Sequence, residues 1–218
     1  MLNFLGTGGA FAFDLGNNSA YMKNGDELLI IDCGESTMKT VYDIDLLKGI
    51  EKVYILITHF HSDHVGSLGS FVFYCGKRDT TVIYPNTEDM KTLLGFYGVG
   101  GRAKVVSPEE FTAFPVKAYK QTHEKLEAYG YMFEYCGEKI YFSGDTKSVP
   151  SEPLELLKAG KLDYFYEDLR EKENEFHLSF PEIEKLIPEE YRKKVYCMHF
   201  DKSEDIPKIQ ALGFNTVK

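Results

Sequence analysis

The chain has 218 residues, enough to bury a substantial core, and no Pro/Ser-rich linker or low-complexity tract divides it, so a single domain over 1–218 is expected. A hydrophobic content of 43% with 27% charged residues excludes a disordered chain. The formal net charge of −9 argues against non-specific binding to nucleic acid, which needs Lys and Arg to neutralise phosphates.

The amino-terminal MLNFLGTGGAFAFD has no basic start and its apolar residues are interrupted by glycines, unlike a secretory signal. No uncharged apolar run approaches the roughly 18 to 20 residues of a membrane helix, so a soluble cytoplasmic protein is expected. Cys33, Cys75, Cys136 and Cys197 are scattered without a CxxC pair, a pattern that suits reduced thiols better than a disulfide framework. The short basic clusters Arg192-Lys193-Lys194 and Lys77-Arg78 read as solvated surface.

In chain order, residues 2–5 read as an opening strand and GTGG at 6–9 as the turn after it. The turn lacks both the spacing and the following helix of a dinucleotide-binding fingerprint. Strands at 19–22 and 27–31 flank the hairpin signal Asn24-Gly25. Asp32 then ends a buried run, where a carboxylate needs a partner: it caps a helix at 36–47 or holds a metal-binding histidine. Next come an apolar β-branched strand at 53–57 and a helix at 65–74. A strand at 81–84, a helix at 87–96 capped by Asn86 or Thr87, and a strand at 103–106 follow. The glycine-rich stretch 95–101 reads as a lid, a partner contact or a plain loop. Strands are expected at 111–119, 129–135 and 139–142, then a helix at 152–158, a strand at 164–166, a helix at 181–186 and a strand at 195–198.

Three of the six histidines fall in THFHSDH at 58–64, directly after the strand at 53–57. Imidazole and carboxylate are ligand types for zinc and neighbouring transition metals. In an extended chain residues i and i+2 point the same way, so His59 and His61 can grip one ion, while Asp63 and His64, beyond the turn, face a second position. His123, Asp145 and His199 likewise follow strand-like runs. Ligands at strand ends gather a site along one rim, with helices outside the sheets.

The pattern HxHxDH followed by a distant His, Asp and His resembles the metallo-β-lactamase superfamily over nearly the whole chain. The resemblance implies an α/β (α+β) four-layer αββα sandwich holding two divalent ions, zinc first, with manganese or iron as alternatives. It assigns His59, His61 and His123 to the first ion, Asp63, His64 and His199 to the second, and Asp145 to both. Within the superfamily, FLGTGGAF, LLIIDCGES at 28–36, GYMFE at 130–134, SGDT at 143–146 and FHLS at 176–179 are similar to the ribonuclease Z and small phosphodiesterase branch. There the last of these motifs supplies a histidine to the scissile phosphate, here His177, paired with a glutamate corresponding to Glu167. Asp63, His177 and Glu167 are therefore the expected catalytic residues, and Asp32 becomes a partner of a metal-binding histidine.

The chain departs from that branch in three places. The long arm that grips tRNA is absent, since only ten residues separate Glu134 from Asp145. The proline and arginine expected after the opening glycines are replaced by Asp14-Leu15-Gly16-Asn17-Asn18, and Ser62 stands where the tRNA enzymes commonly carry glycine. With the acidic charge, these point away from tRNA. Two divalent ions less Asp63, Asp145 and a bridging hydroxide leave a formal charge of about +1, which a phosphodiester monoanion neutralises. The expectation is thus a metal-dependent phosphodiesterase acting on a small nucleotide, cyclic phosphodiester or short RNA end, with self-association into a homodimer left open. The alternatives are a lactone or thioester hydrolase on the same centre, a tRNA 3′-end endonuclease, or a sensor that uses the fold as a scaffold.

Overall fold

The computed structural model describes residues 1–121 and 123–218. The amino-terminal half supplies β1 (Asn3–Gly6), β2 (Ser19–Asn24), β3 (Glu27–Ile31), α1 (Thr37–Asp43), β4 (Lys52–Leu56), α2 (Ser62–Val65), α3 (Leu68–Cys75), β5 (Asp79–Ile83), α4 (Thr87–Phe96) and β6 (Lys104–Val106). The carboxyl-terminal half supplies β7 (Val116–Gln121), β8 (Ala128–Tyr135), β9 (Glu138–Phe142), α5 (Ser151–Lys158), β10 (Tyr164–Asp168), α6 (Phe180–Leu186), α7 (Glu189–Arg192), β11 (Val195–Met198), α8 (Asp205–Ala211) and β12 (Asn215–Thr216).

Each half builds one six-stranded sheet on the same plan. The first has the order β1-β2-β3-β4-β5-β6 and the second β12-β11-β10-β9-β8-β7. In both, three antiparallel strands, the second and third joined by a tight turn, lead into parallel strands joined through helices, as parallel pairing requires. Leu28, Leu29, Ile30 and Ile31 of β3 are all fully buried, so both faces of the sheet are covered there. Each such side chain contributes about 1.5–3 kcal/mol of burial free energy.

One apolar cluster draws side chains from both sheets. Polar links cross it as well: Tyr131 Oη donates to the Ile57 carbonyl at 2.7 Å and the Leu2 amide donates to Tyr166 Oη at 3.0 Å. The result is the layered sandwich of the metallo-β-lactamase fold, with two mixed sheets and helices. No helix is long and apolar enough to cross a membrane among the described residues.

Three expected elements differ from those observed. The strand expected at 111–119 begins only at Val116. Pro115 has no amide hydrogen for the ladder and restricts the residue before it, and Phe111 and Phe114 instead pack edge-on against Tyr54 at 5.4 and 5.5 Å. The helix expected to 47 stops at Asp43, with Asp45 left-handed at φ 52° shortly after. The helix expected at 65–74 is two helices parted at Gly66-Ser67, where Ser67 Oγ donates to the Gly34 carbonyl at 2.6 Å. The short elements α7, α8 and β12 carried too weak a periodicity to be expected.

Candidate metal centre

The carboxyl ends of β4, β7, β9, β10 and β11 converge on one rim. His59 Nε2 lies 3.0 Å from His61 Nδ1, which lies 3.2 Å from His123 Nε2. Thus His59, His61 and His123 form one group of converging donors, and Asp63, His64, Asp145 and His199 form another, with the ligand atoms of each within 4.8 Å of one another. Asp145 faces both: its Oδ1 is 3.3 Å from His64 Nε2 and its Oδ2 is 3.8 Å from His123 Nε2. The two groups hold all seven residues expected as ligands.

The donor set fits a pair of divalent cations. His64 Nε2 and Asp145 Oδ1 are buried, aimed at each other's group, and have no hydrogen-bond partner. Unpaired buried polar atoms are costly, and a cation between them would satisfy both. Nitrogen and carboxylate oxygen in this ratio suit zinc, manganese or iron.

Asp32 settles onto the second of its two expected roles. Its carboxylate accepts from the Thr58 amide, Thr58 Oγ1 and His64 Nδ1, each at 2.8 Å, with its own backbone left-handed at φ 61°. This turns His64 Nε2 toward the rim. The close approach beneath it depends on Gly34, where a Cβ would come within 2.0 Å of the Asp63 carbonyl oxygen.

His177 is drawn to the rim, but Glu167 is not its partner. The carboxylate that meets His177 Nδ1, at 2.5 Å, belongs to Asp168. Side chains alternate across a strand, so on β10 adjacent residues face opposite ways. Glu167 points into the core, fully buried with neither oxygen hydrogen-bonded, and burial followed by the Asp168 charge pushes its carboxyl well above the ordinary range. Asp168 also faces His199 Nδ1 at 3.2 Å and accepts from the Thr146 amide at 3.2 Å. It was missed in the sequence, although its place at a strand's carboxyl end is the signal that marked the other ligands.

Arg170 was missed too. It is nearly buried against His199, donating to that residue's carbonyl and pairing with Asp201 at 2.8 Å. A Cβ at Gly9 would sit 2.7 Å from its guanidinium.

Neighbouring charges and hydrogen bonds compete with burial in setting protonation, and the winner differs from residue to residue. Burial opposes charge on His199, yet the Asp145 carboxylate beside it pushes its pKa up to about 9. Burial likewise opposes charge on Asp63, but hydrogen bonds from His199 and His64 hold it well below the usual carboxylate range. His59, flanked by other histidines, is held well below the ordinary imidazole value, by burial first and then by His64.

A cleft of about 690 Å³ opens onto the cluster, with Phe11, Asn174, Phe176 and Arg170 in its walls beside His61 and His177. Phe11 is 86% exposed. The stretch 95–101 contributes no lining residue to it, and Tyr97 packs against Gly69 instead. Between Glu134 and Asp145 the chain makes only the tight β8–β9 hairpin, so nothing projects from that edge.

Fold and site together define a protein of the metallo-β-lactamase class with a cluster of histidine and aspartate donors able to hold metal. The family description "Anti-Pycsar protein Apyc1" matches residues 1–94 and 85–217, and the chain belongs to that family. The anti-Pycsar protein Apyc1 of Bacillus phage BSP38 is 30% identical over 94% of this chain and 90% of its own. Solved structures share the fold. The metallo-β-lactamase fold protein YhfI of Bacillus subtilis has a TM-score of 0.73 at 15% identity, covering 99% of this chain and 94% of that one. A diphosphatase of the PhnP family has 0.72 at 20%, covering 99% and 93%. The short form of human tRNase Z has 0.67 at 18%, covering 100% and 95%.

Proposed function

We propose that the protein is a two-metal phosphodiesterase acting on a small nucleotide or cyclic phosphodiester. The observation that carries this reading is the His177–Asp168 pair at the edge of the ligand cluster, with His177 Nδ1 4.0 Å from Asp145 Oδ2. When bound, the two cations supply an acidified water and the positive charge that a phosphoryl group requires. Zinc is the first candidate for both positions, and His59, His61, His123, Asp63, His64, Asp145 and His199 would hold them. Asp63, anchored between His64 and His199, would orient the attacking water.

The chain's own part in the chemistry is proton delivery. Asp168 engages Nδ1 of His177 and orients the ring, leaving Nε2 for the oxygen of the departing alcohol. An alkoxide needs that proton, whereas a thiolate leaves without it, so the pair favours phosphodiester over thioester cleavage. Phe11 and Phe176 offer flat apolar faces beside the site, suited to a nucleobase. The cleft's size and the bare β8–β9 hairpin favour a small anionic substrate or short RNA end over folded tRNA.

The test compares 3′,5′-cyclic nucleotides with bis(p-nitrophenyl) phosphate, a lactone and a thioester. His177→Ala should slow cyclic nucleotide cleavage by about 10²–10⁴-fold. It should spare the nitrophenyl ester, whose leaving group departs unprotonated. Equal rates for wild type and variant on cyclic nucleotides would remove this role, and turnover of only the lactone or thioester would favour the other hydrolase reading.

A homodimer is the second part of the reading. Tyr42, Ile44 and Phe73 are 66%, 49% and 59% exposed on α1, the turn after it and the neighbouring α3, apolar surface suited to a second copy. Light scattering on the purified protein would measure it. Three buried, unpaired cysteines fit a reducing compartment such as the cytoplasm.

A further inference from the structure

A histidine that binds a metal through one ring nitrogen carries its proton on the other, and whatever accepts that proton fixes the ring. Five histidines face the cluster, and the outward nitrogen of each has an oxygen beside it. His64 Nδ1 has Asp32 at 2.8 Å, His59 Nδ1 has Thr58 Oγ1 at 3.1 Å and His199 Nδ1 has Asp168 at 3.2 Å. His123 Nδ1 has the Phe176 carbonyl at 3.4 Å. His61 differs in presenting Nδ1 inward, toward His59 and His123, so its outward atom is Nε2. The oxygen beside Nε2 is Oε2 of Glu124, at 3.4 Å.

We propose that Glu124 is a positioning residue that fixes His61 for the first cation by accepting the proton on its Nε2. The inference rests on the two-metal reading above. Glu124 directly follows His123 and is left-handed at φ 45°, a conformation that residues with a Cβ adopt only at a cost. That turn sits between one ligand of the first group and the carboxylate that steadies another. Glu124 also lines the cleft, with its side chain 43% exposed. A carboxylate at the mouth of a cleft for anions repels the substrate, so its place there calls for a separate use, which His61 supplies.

The other four oxygens are poor subjects for a test. Asp32, Thr58 and Asp168 are buried and serve more than one partner, and the fourth is backbone. Glu124 can be changed without opening a cavity.

The test titrates zinc into metal-free wild type, Glu124→Ala and Glu124→Gln by calorimetry against a competing chelator, and follows the imidazole ¹⁵N resonances of the zinc-loaded proteins. Wild type should bind two ions. Glu124→Ala should weaken one of them by about 10–100-fold and leave the other unchanged. Glu124→Gln, whose amide oxygen still accepts, should stay close to wild type, and the His61 Nε2–H signal should persist in Glu124→Gln and exchange faster in Glu124→Ala. Wild-type affinity at both positions in Glu124→Ala with an unaltered His61 signal would overturn the role. So would a lowered melting temperature of the metal-free variant, which marks a structural part. A wild type that takes up no ion would overturn the metal centre first, and this inference with it.

Discussion

Asp168 and His177 meet at 2.5 Å, Oδ2 to Nδ1, and the other oxygen of the same carboxylate faces His199. One side chain therefore ties the proposed proton donor to a proposed ligand of the second cation. Asp168→Asn should impair both, lowering kcat on cyclic nucleotides by at least the 10²-fold expected from losing His177 and weakening zinc binding as well. Glu167→Gln, one residue away on the opposite face, should keep wild-type kcat. Steady-state kinetics with a zinc titration check the pair, and the reverse pattern would restore Glu167 as the partner.

Removing metal should destabilise the fold. Two buried atoms of the cluster, His64 Nε2 and Asp145 Oδ1, lack a hydrogen-bond partner that a cation would supply, and a ligand that binds only the folded state stabilises it by about 2.7 kcal/mol at a hundred times its dissociation constant. Melting in zinc and after exhaustive chelation should differ by several degrees.

The pH dependence of the metal-free protein has a definite sign. A histidine at about 9 when folded and 6.5 when unfolded adds stability in full below pH 6.5 and loses it as pH rises through 9. Glu167, held neutral by burial, acts in the same direction as pH rises. Asp63 and Asp145 act oppositely, since their depressed values give stability that is present above pH 3.8 and lost as pH falls. Metal-free protein should therefore lose stability toward both ends: on the acid side as Asp63 and Asp145 take up protons and as His59, held well below its ordinary value, is forced to, and on the alkaline side as His199 loses its proton. His199 should account for up to about 3 kcal/mol of alkaline loss. Urea unfolding across pH 5–10 measures it, and zinc should remove the His199 part of the alkaline limb by occupying that ring.

Phe11→Ala should raise KM for cyclic nucleotides while sparing kcat, because an exposed ring beside the cleft can hold a base without touching the phosphate. Base stacking on an aromatic contributes about 1–3 kcal/mol, which is roughly 5- to 150-fold in KM. An unchanged KM would place the base elsewhere.

Gly34→Ala should disrupt the site from below. The added Cβ meets the Asp63 backbone carbonyl at 2.0 Å, and backbone cannot step aside as a flexible side chain can. A loss of about 1–3 kcal/mol is expected, with reduced zinc uptake. Melting curves and metal content check both.

Much of this site is legible in the chain itself. The cluster at 59–64 after an apolar strand, with His123, Asp145 and His199 each following a strand, is local information, because periodicity and turn residues are set by neighbours in sequence. The superfamily pattern and the missing arm are read the same way. Which carboxylate meets His177 is different: Glu167 and Asp168 are adjacent, both follow tyrosine- and phenylalanine-rich strand residues, and only the phase of β10 against its neighbours turns one into the core and the other to the rim. Likewise, the meeting of His61 with Glu124, of Arg170 with His199, and of Asp32 with His64 spans from 29 to 63 residues of chain. The first exists only once the two sheets have packed face to face, and the other two only once β10 has paired with β11 and β3 with β4, since strand pairing and sheet packing bring separate strand ends to one edge.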